Sequence, residues 1–261
     1  MNFFKDLGES VGISFDAVRA NKMRSTLATL GIVIGIVTVT LMGAAIHGLD
    51  NAFKKSISSL GADVMYVSRN NWFNESYDSW TRSQKRRPIR LKEAEKLIDK
   101  LTLASAVAPE IDDESTVKYK TRSANFVDII GTTEQYLETS GVGVAQGRFL
   151  TAADGEGSQP VCVIGSDVLT NLFRGESPLG AHIKVEDQSF EVVGVLEKQG
   201  NMLGWSLDNR VIIPIREVLA DIYYQPYVDQ VDVKAASLAQ LDEAREELRQ
   251  TLRHIRHLRP E

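Results

Sequence analysis

From Ser25 to Leu49 no residue carries a full charge, and only His47 can acquire one. Leu27 to Ile46 is built wholly of Leu, Ile, Val, Ala, Gly, Thr and Met. As a helix it spans roughly 30 Å, the hydrocarbon thickness of a bilayer. A chain with such a segment has few options. A buried helix of a soluble domain rarely runs so far without charge. A cleaved signal sequence has a shorter apolar core and a brief leader, although Gly43 and Ala45 stand at plausible cleavage positions. A membrane anchor fits best. Arg19, Lys22 and Arg24 precede the span and Asp50 follows it, which predicts an N-terminus in the cytoplasm and the rest of the chain outside.

Two local patterns accompany the span. Gly31 and Gly35, with Ala28 and Thr38 beside them, form a small-residue face of the kind on which membrane helices pack closely. The competing reading is that glycine is common in such helices. Upstream, Phe3, Phe4, Leu7, Val11, Phe15 and Val18 recur at helical spacing with charges between them. That predicts an amphipathic helix lying in the membrane interface.

The remainder predicts an α+β extracytoplasmic domain preceded by the one transmembrane helix and the interfacial helix. The boundaries are 1–26 (cytoplasmic amphipathic segment), 27–47 (transmembrane) and 48–261 (extracytoplasmic domain). Leu49, Phe53, Ile57 and Leu60 extend the helical period toward a stop at Gly61. Asp63–Arg69 alternates like a strand, and Asn70–Arg90, with five basic residues, reads as a mobile, solvated loop. Leu91–Leu101 and Leu238–Ile255 read as amphipathic helices, the latter with Leu238, Leu241, Leu248, Leu252 and Ile255 on one stripe. Ser166–Phe173 and Ile215–Ile222 read as short helices. Strands are expected at 103–108, 115–121, 124–130, 160–164, 182–186, 190–197, 210–214 and 228–234. Their irregular mixture with helices is α+β rather than βαβ.

Chemistry-bearing patterns are sparse. The net charge of −5 is a poor basis for nucleic-acid binding. Gly-Lys never occurs, so no phosphate-binding loop is present, and there is no HExxH or GxSxG. The single cysteine, Cys162, lies in an apolar run and reads as a buried thiol. His254 and His257 share a helical face but have no third ligand and three arginines around them. Asp112-Asp113 reads as a solvated turn. No catalytic, cofactor or metal site emerges, and the chain is not expected to be an enzyme.

Ordered punctuation carries a resemblance across almost the whole chain. It comprises Ala20-Asn21-Lys22-Met23-Arg24-Ser25-Thr26-Leu27, Leu30-Gly31-Ile32-Val33-Ile34-Gly35 and Leu60-Gly61-Ala62-Asp63. Gly147-Arg148-Phe149 with Thr151 and Asp154, then Val163-Ile164-Gly165 and Leu172-Phe173, follow. Pro178-Leu179-Gly180 and Phe190-Glu191-Val192-Val193-Gly194-Val195 complete it. In this order they resemble the permease subunits of MacB-type ABC transporters. The resemblance implies the N-terminal part of an exporter permease in the bacterial inner membrane, with an extracytoplasmic domain after the first of four membrane helices. It implies an ABC ATPase as partner, a second permease copy, a periplasmic adaptor and membrane lipid. Arg90 stands where relatives carry a threonine helix cap. The chain stops where relatives approach their second membrane helix, which points to a truncated product, a gene fragment or a split subunit. The alternative is a single-pass anchored binding or sensor module without an ATPase.

Topology is directly testable. On a Cys162→Ser background, an impermeant thiol reagent applied to intact spheroplasts should label Ser237→Cys and spare Asn2→Cys. The reverse pattern overturns the orientation.

Overall fold

The computed structural model describes residues 19–58, 63–69, 77–156, 160–202, 205–222 and 226–258. The Phe3–Val18 pattern and the stop at Gly61 lie outside these. The chain divides at Lys55/Ser56 into two compact units.

The first unit holds most of one helix, α1 (Lys22–Ser58), of 37 residues. Its Lys22–Gly48 part is long and apolar enough to cross a membrane, and none of that stretch is buried. Hydroxyls within it turn back on the helix: Thr26, Thr29, Thr38 and Thr40 donate to the carbonyls four residues earlier at 2.8–2.9 Å. Each of these hydroxyls is thus satisfied without water, as a lipid environment demands.

The second unit is α+β. Its elements begin with β1 (Val64–Ser68), α2 (Tyr77–Gln84), β2 (Ile89–Arg90), α3 (Leu91–Lys100), β3 (Ala104–Tyr119) and β4 (Arg122–Thr132). Next come α4 (Tyr136–Ser140), β5 (Val144–Gly147), α5 (Ala152–Glu156), β6 (Val161–Ile164) and α6 (Ser166–Val168), which continues as a π-helical turn to Phe173. Then follow β7 (His182–Val185), β8 (Gln188–Leu196), β9 (Asn201–Met202), β10 (Trp205–Ser206) and β11 (Arg210–Pro214). The last are α7 (Ile215–Glu217, with a π turn to Ile222), β12 (Tyr227–Val228), β13 (Gln230–Ala235) and α8 (Leu241–Ile255).

Strand β3 organises the sheet. Along one edge it pairs β13 over Ala104–Glu110 and then β7 over Val117–Lys118; β4 pairs Ile111–Tyr119 on the other. From β4 the ladder passes through β11, β6 and β8 to β7, and so returns to β3. Six strands therefore close on themselves, while β13 and β1 extend the first half of β3 into an open layer. Closure removes edges that would otherwise template aggregation.

One continuous core fills the barrel and runs under the helices. Phe173, Phe190, Ile129, Ile164, Ile183 and Ile213 are fully buried in it, as are Ala94 and Leu97 of α3. Tyr119 stacks on Phe173 at 4.3 Å between centroids. A second cluster lies on the opposite sheet face, where Tyr136, Val142, Phe149 and Leu150 cover Ala108, Ile130, Val163 and Ile212. Glu247 of α8 accepts from Thr102 N (2.9 Å), Thr102 Oγ1 (2.6 Å) and Leu103 N (3.0 Å), tying the last helix to the loop that enters β3.

Several expectations change. The stretch read as two strands around a solvated turn is one strand of 16 residues, so Pro109–Glu114 is part of the ladder, paired first to β13 and then to β4, rather than looped out. Asn70–Arg90 contains α2 and β2. Two of its basic residues are tied down: Arg86 donates to the Arg69 carbonyl (3.2 Å), and Arg87 pairs with buried Glu93. From α8's end, Arg256 donates to the Arg87 and Pro88 carbonyls at 2.6 and 2.7 Å. Leu238 leaves the apolar stripe because it sits in a 3₁₀ turn ahead of α8, whose three-residue repeat rotates it outward. Cys162 is buried, as its apolar neighbours predict, and burial pushes its thiol well up.

The Gly147-Arg148-Phe149 motif is a packing device. Gly147 has φ +74° and pairs Gly194; a Cβ on Gly194 would sit 2.1 Å from the Arg148 carbonyl oxygen. Backbone cannot yield as a flexible side chain can. Gly194→Ala should therefore cost at least about 2 kcal/mol, whereas Gly155→Ala, with nothing within 4 Å, should be near neutral. Denaturant unfolding of the two variants checks the contrast.

Candidate functional site

Strand alternation places Glu110 and Asp112 of β3, Gln230 and Asp232 of β13, and Tyr66 of β1 on one sheet face. Register continues the patch through Asp128 to Arg210 of β11. Asp232 is 4% exposed and accepts from Gln230 Nε2 at 2.6 Å. Glu110 faces Gln230 across the ladder, one pair along from Asp232 on the same face. Two carboxyls so close and so poorly solvated repel when both are ionised, which favours a proton on one of them.

Burial and mutual repulsion act together here. Glu110 is held well above the usual carboxylate range by burial, then by the charges of Asp232 and Asp112. Desolvation, with Asp128 next, pushes Asp112 up to about 6. Arg210 opposes both shifts, and its Nη1 donates to the Tyr136 hydroxyl at 3.3 Å. Lys234 of β13 donates instead to the Glu138 carbonyl (3.1 Å). The chemistry this arrangement can perform is reversible proton binding.

Elsewhere carboxylates are held in the opposite sense. Asp154 takes two bonds from Arg148 (2.6 and 3.0 Å) and two from Thr151 (both 2.7 Å). These, led by Arg148, bring it down to about 2. Thr151 and Asp154 thus form the clasp their spacing suggested. Burial alone would raise Glu93, but the Arg90 backbone N–H, Arg256 and Arg87 more than offset it. The Arg90 N–H donates to Glu93 at 3.1 Å, so the glutamate caps α3 from within and the missing threonine is not needed.

Among residues singled out by sequence, Gly31 and Gly35 lie exposed along α1; a Cβ on either would meet nothing within 4 Å among the described residues. Asp112 joins the carboxyl patch. Among the described residues no three His, Cys, Asp or Glu side chains converge as metal ligands. Sequence reasoning missed the Glu110–Asp232 pair, because pairing across β3 and β13 joins residues more than a hundred positions apart. It also missed two outward aromatics. Trp205, on the β9–β10 hairpin, is 78% exposed; Phe126, 73% exposed, has φ +55°. That conformation is costly for a bulky residue.

Residues 25–251 match the family described as the MacB-like periplasmic core domain. The macrolide export ATP-binding/permease protein MacB of Bdellovibrio bacteriovorus is 27% identical over 256 residues, covering 98% of this chain and 39% of that protein. Its counterpart from Aggregatibacter actinomycetemcomitans is 29% identical, over 89% of this chain and 35% of the relative. The chain thus spans well under half the length of the curated relatives it matches. In fold, the periplasmic region of MacB from Actinobacillus actinomycetemcomitans superposes with a TM-score of 0.66 at 22% identity, covering 77% of this chain and 88% of that one. The extracellular domain of the noncanonic ABC-type transporter YknZ from Gram-positive bacteria gives 0.58 at 18%, covering 75% and 94%.

The carboxyl pair generates a pH prediction. Both folded-state values lie above the unfolded ones, so the folded chain binds more protons. Its contribution is complete below about pH 4 and is lost as pH rises through the folded values. Asp232→Asn removes the repulsion. The variant should gain on wild type by on the order of 1–2 kcal/mol at pH 8 relative to pH 4.5. Thermal unfolding at the two pH values measures the difference; an unchanged gap contradicts the raised carboxyl values.

Proposed function

This chain belongs to the MacB-like periplasmic core domain family, and we propose that it serves as the N-terminal part of an ABC exporter permease in the bacterial inner membrane. In this reading its outer domain receives ATP-driven conformational change and passes it on in efflux or envelope export. The observation that carries the proposal is the single family match running from Ser25 to Thr251, which takes in the apolar helix and the barrel together. An anchored sensor has no need of that combination.

The ATP chemistry belongs to an ABC ATPase, fused or separate, since this sequence carries no GxxxxGK(S/T) nucleotide-binding loop. The relatives' printed names, ATP-binding/permease proteins, support such a pairing. A second permease copy would pack on the Gly31/Gly35 face, where glycine lets backbones approach. The outer domain suits transmission to a periplasmic adaptor because β3 belongs to both barrel and open layer, so displacement of one is carried rigidly into the other. Lipid surrounds the part of α1 from 27 to 47, and residues from about 48 onward lie outside the cytoplasm.

Expressed alone, residues 1–261 should confer no efflux and turn over no ATP. In the full-length permease with its ATPase, Gly35→Leu should reduce co-purification of the two several-fold while leaving membrane insertion intact. ATP turnover by the isolated chain, or undiminished assembly of the variant, would refute the proposal.

A further inference from the structure

Helix α3 and the α7 turn stand on either side of a cleft. The edge between them is held by the β2–β12 pair, Tyr227 opposite Arg90 and Val228 opposite Ile89, and by Leu91 N donating to the Pro226 carbonyl (3.3 Å). Two cavities occupy the cleft, of about 810 and 280 Å³. The larger lies within the size range of small-molecule sites. They share Leu91, Glu95 and Arg216, so they are two parts of one depression.

Across the shared stretch lies an ion pair, Arg216 Nη2 to Glu95 Oε1 at 2.7 Å. Both side chains are substantially exposed, at 62% and 39%, and exposed pairs of this sort contribute little to stability. The bar across the cleft is therefore easily displaced. Among the described residues the charge is unevenly divided: Arg90, Lys92 and Arg216 line the larger cavity with Glu95 as its carboxylate, whereas Glu134 and Glu156 line the smaller one. The larger cavity's remaining walls are apolar, from Leu91, Leu219, Ala220 and Pro226. Deeper in, the smaller cavity passes Ile98 and Ile215 to Thr133.

We propose that this cleft is a binding site for a free, single-chain amphiphilic anion: one carboxylate, sulfate or phosphate monoester on an apolar body. The acid head takes the place of Glu95 on Arg216, whose planar fork suits two acceptor oxygens. Arg90 and Lys92 flank it. The apolar body lies against Leu91, Leu219 and Pro226. Binding here stands apart from the transport reading, and its test measures binding alone.

The test uses the full chain in nanodiscs of neutral phosphatidylcholine, with an environment-sensitive fluorophore on Ala220→Cys, an exposed position. Buried Cys162 is left in place. Octyl sulfate, kept below its micelle concentration, should shift the emission saturably. Octyl glucoside should bind at least tenfold more weakly, and octyltrimethylammonium not at all. The Arg90→Gln/Lys92→Gln double variant should weaken octyl sulfate at least fivefold. Glu95→Gln, which releases Arg216, should tighten it; a merely apolar groove would not respond that way. Calorimetric titration without the fluorophore should give the same order. Equal response to all three head groups, no saturation, or no effect of the charge variants would overturn the proposal. So would a signal arising only when phosphatidylglycerol is built into the nanodisc, which assigns the cleft to membrane lipid.

Discussion

The outer domain depends on one strand being paired along both of its edges. Sixteen residues of β3 span two environments: as far as Glu110 they pair β13 in an open layer under helices, and beyond it they are a stave of the closed barrel. Every buried N–H and C=O needs a partner. The strand can continue past Glu110 into the barrel because β4 takes up one edge and β7 later takes over the edge that β13 leaves. The barrel and the open layer therefore cannot be separated without stranding backbone groups, and their cores are continuous. Barrel and open layer are in this way built as one unit.

Around that strand, polar groups are buried on two different terms. Glu93 and Glu247 are compensated by arginine or by backbone N–H groups, and their carboxyls stay below the usual range. Such burial locks segments together: Glu93 joins α3 to the basic stretch and α8, and Glu247 joins α8 to the entry of β3. Glu110 and Asp232 are compensated by a proton instead, because the neighbouring cation, Arg210, sits toward Tyr136 and not between them. A proton is exchangeable where an arginine is not. The patch is therefore the part of the domain whose energy the surrounding solution can alter.

The long apolar helix was legible from residues alone. Uncharged length and helical period are local properties, and they fix a helix long enough to cross a bilayer. The strands that hold β-branched residues, such as Val161–Ile164 and Arg210–Pro214, were equally readable, as were α3 and the body of α8. So was the Gly147 to Asp154 stretch, whose hydrogen bonds join residues within seven positions of one another. Family membership rested on many such local features in a fixed order.

Tertiary structure alone decided the rest, because the deciding forces act between distant residues. Pro109–Glu114 is acidic and reads as a turn, yet it is strand, since β13 and β4 supply its hydrogen bonds and the barrel needs the length. Basic residues around Arg87 read as a solvated loop, but a glutamate on α3 and an arginine on α8 claim them. Gln230 and Asp232 look like the wet side of a strand; the sheet buries them, and only there does Asp232 meet Glu110. The cleft beside Arg216 likewise exists only after α3 and α7, more than a hundred residues apart, are brought face to face. Periodicity records which face of an element is apolar. It holds no record of which element that face will meet, and pairing across the sheet is where charge, burial and protonation were set.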